Sequence, residues 1–191
     1  IRNRADGSWI VWKEENQEIP VVKLTDLQLF GQHNHENVMA AVAMASSAGV
    51  PMESIRASVR AFQSVAHRIE YVAEKKGVAY YNDSKGTNPD AAIKGIQAMD
   101  RPTLLIAGGY DKEADYREWL RSFDGKVRHL VLIGQTKEKI ASAAKAEGFT
   151  EIILADDLAQ AVCICAEKAQ PGEAVLLSPA CSSFDEFSGY E

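Results

Sequence analysis

Cysteine is scarce in this sequence. Cys163, Cys165 and Cys181 are three in 191 residues, an odd number at no metal-ligand spacing, and they read as inert core thiols. No block rich in lysine or arginine interrupts a chain of formal charge -6 and pI near 5.3. That argues against nucleic acid or a membrane surface as partner and points to small molecules. No apolar run nears the roughly 20 residues that span a bilayer, and no signal-peptide pattern opens the chain. A cytoplasmic protein is the expectation.

Several motifs are missing as well. The single Gly-Lys pair, Gly125-Lys126, is followed by Val127, so there is no G-x-x-x-x-G-K-[ST] loop to cradle phosphate. G-x-G is absent too, which removes the main support for a dinucleotide-binding dehydrogenase. His33-Asn34-His35 does not promise a metal site, because residues two apart on a helix point about 200° apart. His67 and His129 stand without a nucleophile or an orienting acid and read as structural.

What is present is 46% apolar residues in 191, enough for one full domain plus part of another. Apolar and polar residues alternate around Ser8–Trp12 and again at Val21–Leu24, which predicts a hairpin. Helical spacing runs from His35 to Ala48, Gly49 stops it, and Pro51 opens a second helix to about Phe62. From Val65 the rhythm becomes strand, turn, helix. A hairpin over 69–81 turns at Lys75-Lys76-Gly77, and a helix over 88–99 has Asn88 as its N-cap and Pro89 in its first turn. Apolar strands follow at 103–107, 129–133, 151–154 and 174–177, separated by helices near 115–122, 136–147 and 157–169. Continuous apolar strands alternating with amphipathic helices predict a doubly wound, mainly parallel, Rossmann-like α/β sheet covered on both faces.

In such a sheet ligands bind beyond the carboxyl ends of the strands. Three exit loops carry chemistry. Asn82-Asp83-Ser84-Lys85-Gly86-Thr87-Asn88 gathers a carboxylate, an ammonium and hydroxyls at a helix N-terminus, where free N–H groups favour an anion. The same residues also make a well-capped turn with a solvated lysine. Gly108-Gly109-Tyr110-Asp111-Lys112 lets backbone approach closely and supplies a movable cation. Ser178-Pro179-Ala180-Cys181-Ser182-Ser183 runs from a strand toward a helix start that either final serine could cap. Together the loops suit a small ligand with two negative groups.

Taken in order, His33-Asn34-x-x-Asn37, His67-Arg68, the Asn82–Asn88 loop, Gly108–Lys112 and Leu177–Asp185 closely resemble the motifs of the Mur ligase family. Within it they are most similar to the members that handle D-glutamate. The resemblance implies a three-domain, ATP-dependent amide ligase that joins D-glutamate to UDP-N-acetylmuramoyl-L-alanine through an acyl phosphate, in peptidoglycan precursor synthesis. Residues 1–64 would be the end of its central ATP-binding domain, a hairpin plus a helix pair. Residues 65–191 would be the amino-acid-binding domain, truncated at its end, with a hinge near 63–67.

By the same resemblance Asn34 and Asn37 would face the nucleotide. Arg68, Asp83 and Lys85 would reach its ribose and phosphates, with Arg68 and Lys85 as the catalytic cations. Thr87, Lys112, Ser183, the Phe184 backbone and Tyr190 would grip the two carboxylates of D-glutamate. The phosphate loop, the ligands of Mg2+ and the UDP-binding domain would lie upstream of Ile1, so this chain alone would form no amide bond. Two other readings stay open at this point. One is a non-catalytic nucleotide- or amino-acid-binding domain, which would need neither Arg68 nor Lys85 to hold glutamate. The other is a related ligase of the Mur or folylpolyglutamate type.

Overall fold

The computed structural model describes residues 1–14, 17–27, 29, 31–63, 65–183 and 185. The chain divides into two units, Ile1–Ser64 and Val65–Glu191, each taken by itself.

In the first unit the alternating segments form β2 (Gly7–Glu14) and β3 (Gln17–Lys23), paired antiparallel, with β1 (Arg2–Arg4) on the far side of β2. The β1 strand was not expected, because its three residues are all polar and exposed and carry no alternation. Pro20 cannot donate to a ladder, and it sits on the edge strand β3 beside a bulge at Ile10/Val11. Its carbonyl accepts from Arg56 Nε at 2.9 Å and Nη2 at 2.6 Å. The two helices are α1 (Gln32–Ser47) and α2 (Met52–Ala61). Helix α1 begins before His35 because its first turn is polar and gives no apolar signal. Gly49 ends it, at φ +78°: Gly49 N donates to Ser46 O and Val50 N to Ala45 O, both at 3.0 Å, the paired bonds of a Schellman cap. Ile10, Val21, Val22, Val38, Val42 and Ile55 form the core.

The second unit is built on a sheet of six strands, β4 (Glu70–Lys75), β5 (Val78–Asn82), β6 (Thr103–Gly108), β7 (Val127–Ile133), β8 (Ile152–Leu154) and β9 (Ala174–Leu177), in the spatial order β4-β5-β9-β6-β7-β8. Only the β4–β5 pair is antiparallel. Helices α3 (Pro89–Ala98), α4 (Arg117–Arg121), α5 (Lys137–Ala146) and α6 (Leu158–Lys168) make the crossovers. The steps from β5 through β6 and β7 to β8 all move one way, and the return from β8 to β9 reverses. Right-handed crossovers therefore put α3, α4 and α5 on one face and α6 on the other.

The cores agree with that arrangement. Leu105, Ala107, Leu130, Leu132 and Leu176 pack with Ile96, Trp119 and Ile140. The alternate residues Leu104, Ile106, Val131 and Val175 pack with Ala161 and Cys165. Each fully buried leucine, isoleucine or valine among them contributes about 1.5–3 kcal/mol.

Asn88 Oδ1 caps α3 by accepting from Ala91 N at 2.9 Å, and Asp157 Oδ1 caps α6 by accepting from Gln160 N at 2.7 Å. Helix α4 is shorter than its pattern suggested, five residues, yet its Trp119 sits in the edge-to-face series of Tyr116, Trp119, Phe123 and Phe149. One expectation fails. Cys165 and Cys181 are buried, but Cys163 is exposed, because residues two apart on a helix face opposite ways and only Cys165 meets the sheet. No helix among the described residues is long and apolar enough to cross a membrane.

Candidate functional site

Strand register brings the three loops together. Asn82 pairs with Leu177, and Leu177 pairs with Ile106, so these residues lie level across three adjacent parallel strands. The chain then leaves all three at one edge. Backbone bonds continue past the ladder: Asp83 N donates to Leu177 O at 2.7 Å, Ser178 N to Ile106 O at 3.1 Å, and Gly108 N to Pro179 O at 2.9 Å.

At the first loop the decisive group is the Asp83 carboxylate, which is 4% exposed. Oδ2 accepts from Ser178 Oγ at 2.7 Å, and Oδ1 accepts from Ile69 N at 3.2 Å. Burial pushes this carboxyl up to about 6, against the opposing pull of the Ser178 hydroxyl, the Ile69 amide and the Arg68 charge. Two glycines make room for it. A Cβ on Gly86 would lie 2.6 Å from Asp83 Oδ2, and one on Gly95 of α3 would lie 2.8 Å from it.

The turn before β4 is strained, with His67 at φ +66° and the β-branched Ile69 at φ +48°. It is held by Lys85 N donating to His67 O at 3.0 Å, by His67 N donating to Glu70 Oε2 at 2.8 Å, and by His67 Nδ1 against Asn82 Nδ2 at 2.9 Å. His67 is thus structural, as read. The carboxylate joins the Arg68 turn, the Lys85 loop and the Ser178 loop. With both oxygens engaged and little exposed surface, it has scant room for the ribose contact the sequence suggested.

The second and third loops are bonded to each other. Tyr110 N donates to Ser182 O at 2.7 Å. Gly109, at φ +138°, passes so close that a Cβ would stand 2.3 Å from Ser182 O. A fourth exit loop, Gly134–Thr136 after β7, takes part as well. Thr136 N donates to Gly109 O at 3.0 Å and Thr136 Oγ1 accepts from Gly109 N at 3.1 Å. Sequence reasoning placed Ser178 in the third loop and Thr136 at a helix start but gave neither hydroxyl a role. The signal existed for the second, since Gly134 follows an apolar strand just as Gly108 does. The Ser182 hydroxyl is buried without a hydrogen-bond partner among the described residues.

The remaining expected residues fall as follows. Arg68, Lys85 and Lys112 are exposed, and Thr87 and Ser183 are half-buried. Among the described residues no ion pair or side-chain hydrogen bond engages the Arg68, Lys85 or Lys112 head groups, whereas neighbouring Asp111 is paired with Lys139 at 2.9 Å. Asn34 and Asn37 belong to the first unit, in the first turns of α1, where Asn37 Nδ2 donates to Asn34 Oδ1 at 3.5 Å. Phe184 and Tyr190 lie outside the described residues, as does the helix start expected after Ser183.

A mainly parallel sheet with helices on both faces, and with cations and close-packed glycine turns at its carboxyl edge, defines a doubly wound α/β domain. The family profile described as "Mur ligase, glutamate ligase domain" matches residues 67–181, and the chain belongs to the Mur ligase family. It is 56% identical over 182 residues to "UDP-N-acetylmuramoylalanine--D-glutamate ligase" of Lachnoclostridium phytofermentans, covering 95% of this chain and 40% of that protein. It is 51% identical over 186 residues to the protein of the same name from Lachnospira eligens, covering 97% and 41%. Among solved structures, the UDP-N-acetylmuramate-alanine ligase MurC of Thermotoga maritima shares the fold at TM-score 0.67 and 15% identity, over 87% of this chain and 37% of that one. The chain thus spans about two fifths of the length of these relatives.

Proposed function

We propose that this chain is the D-glutamate-binding and ATP-closing part of an ATP-dependent amide ligase that adds D-glutamate to UDP-N-acetylmuramoyl-L-alanine in peptidoglycan precursor synthesis. The observation that carries the reading is a set of three cations that no ion pair engages among the described residues, Lys85 and Lys112 on loops leaving one sheet edge and Arg68 on the turn that enters β4 at the same edge. The relatives that match nearly the whole chain bear the name of that ligase. Cations without a salt-bridge partner among the described residues are suited to anions that arrive with a substrate, and the buried Asp83 carboxyl interacts with Arg68 only through the field of its charge.

In this reading residues 1–64 are the end of the central ATP-binding domain, where Asn34 and Asn37 face the nucleotide. Residues 65–191 form the amino-acid-binding domain. Arg68 and Lys85 neutralise charge that builds on the phosphates as the amine of D-glutamate attacks an acyl phosphate and phosphate departs. The strained turn under Arg68 and the bond from Lys85 N to His67 O fix these two cations as one unit. Asp83 orients that unit and offers any ribose contact only at its margin. Lys112 takes one carboxylate of D-glutamate. Thr87, with Ser183, the Phe184 backbone and Tyr190, takes the other. Mg2+ would accompany the nucleotide, held by groups beyond this chain, and the enzyme would work in the cytoplasm.

The test is Lys112→Ala in the full-length protein. It should raise KM for D-glutamate by about tenfold or more while leaving KM for ATP within about twofold. An equal rise in both, or in neither, would remove Lys112 from the amino-acid site.

A further inference from the structure

A dicarboxylate of fixed length needs two anion sites at a fixed separation, so something must set the spacing of the Lys112 loop and the Ser183 loop. Those loops leave β6 and β9, and neither strand end alone determines where residues three or more positions further on will sit. The turn between β7 and α5 touches both. On the Lys112 side Thr136 closes a two-way bond with Gly109, donating its amide at 3.0 Å and accepting through Oγ1 at 3.1 Å. Gln135 Oε1 accepts from Asp111 N at 3.3 Å, and Lys139 grips the Asp111 carboxylate at 2.9 Å.

On the Ser183 side Thr136 Oγ1 lies 3.4 Å from Cys181 Sγ, which is itself 3.1 Å from Tyr116 Oη. Gln135 N donates to Asp185 Oδ2 at 2.8 Å. Thr136 is 1% exposed. Its hydroxyl accepts from the Gly109 amide and so keeps its own hydrogen to offer the thiol. Gly134 sits so close beneath both loops that a Cβ there would meet Asp185 Oδ2 at 2.4 Å and Gly109 Cα at 2.8 Å. No hydrogen bond or ion pair among the described residues joins this turn to the Asp83–Thr87 loop.

We propose that the β7–α5 turn, centred on Thr136, is a positioning element that sets the separation of the Lys112 and Ser183 loops and hence selects the length of the dicarboxylate. Thr136 touches no substrate; it acts through Gly109 and Cys181. The inference rests on the reading of Lys112 and Ser183 as the glutamate clamp. Because the turn bonds to two of the three loops and not to the one bearing Lys85, its loss should affect one substrate selectively, which a general loss of stability would not do.

The experiment uses the full-length protein with Thr136→Val, which keeps the shape and removes the hydroxyl, and Thr136→Ser, which restores it. Thr136→Val is expected to raise KM for D-glutamate by about tenfold, with KM for ATP within about twofold and the preference for glutamate over aspartate reduced; Thr136→Ser should return each value toward that of the parent. Should Thr136→Val fail to fold, Lys139→Ala, in the first turn of α5 and paired with Asp111, substitutes for it, with an expected rise of about threefold in the D-glutamate KM alone. Equal changes for both substrates, or unchanged constants in the variant that folds, overturn the proposal. Lys112→Ala in the same series separates the two failures. If it raises the D-glutamate KM and the turn variants do not, the clamp stands and the positioning role falls. If Lys112→Ala itself has no effect, the underlying reading falls first.

Discussion

Replacing Asp83 with asparagine should flatten the dependence of stability on pH. The carboxyl is raised by burial from an ordinary 3.8 to about 6 in the folded chain. Protonation therefore favours the folded state between those values. The contribution is fully present below about pH 4 and is lost as pH rises through about 6. At roughly 1.4 kcal/mol per pH unit, the difference amounts to about 3 kcal/mol of stability lost by neutral pH.

Asparagine has the same shape and does not ionise in this range. Its oxygen can accept from Ile69 N, and its amide can donate to Ser178 Oγ. One amide hydrogen is left unpaired, at a cost of about 1–3 kcal/mol, but that cost does not vary with pH. The slope, and not the absolute stability, is the clean readout. Urea midpoints can be measured between about pH 4 and pH 7.5, following Trp119, the buried indole of the second unit, in a background with Trp9→Phe and Trp12→Phe. The parent should lose on the order of 3 kcal/mol across that range beyond any loss in Asp83→Asn. Superimposable pH profiles would refute a buried, ionised Asp83.

The glycines around the same carboxylate give a contest of opposite signs. Helix propensity alone says Gly95→Ala should stabilise α3 by about 1 kcal/mol. The new Cβ would stand 2.8 Å from Asp83 Oδ2 and 3.1 Å from Ser178 Oγ, so sterics should win and destabilise the chain by about 1–3 kcal/mol. Gly125→Ala is the control. Nothing lies within 4 Å of its Cβ, but its φ is +71°, so only backbone strain of about 1 kcal/mol should be seen.

Much of the second unit was legible because its strands are continuous apolar runs and because Asn88, followed by Pro89, identifies itself as a helix cap by type. The three exit loops were legible for the same reason, since a parallel sheet fixes where such loops must emerge. What escaped depends on contacts between loops. Nothing local in Ser178 says that its hydroxyl meets a carboxylate 95 positions earlier, and nothing in Asp83 says that it is buried. Thr136 looked like the start of a helix; its partner Gly109 lies in the loop that follows another strand. Strand β1 escaped because a three-residue edge strand of polar side chains has no period to detect. Cys163 was misjudged because an apolar stretch was taken as buried on both faces of a helix that buries one.

The central claim is that this chain serves amide formation with D-glutamate. The direct measurement is phosphate release from ATP by the full-length protein, with UDP-N-acetylmuramoyl-L-alanine and each candidate amino acid in turn. The account predicts release that requires both the nucleotide-linked acid and D-glutamate, with the new amide found in the product. Release that proceeds equally without D-glutamate, or that prefers a monocarboxylic amino acid, would contradict it.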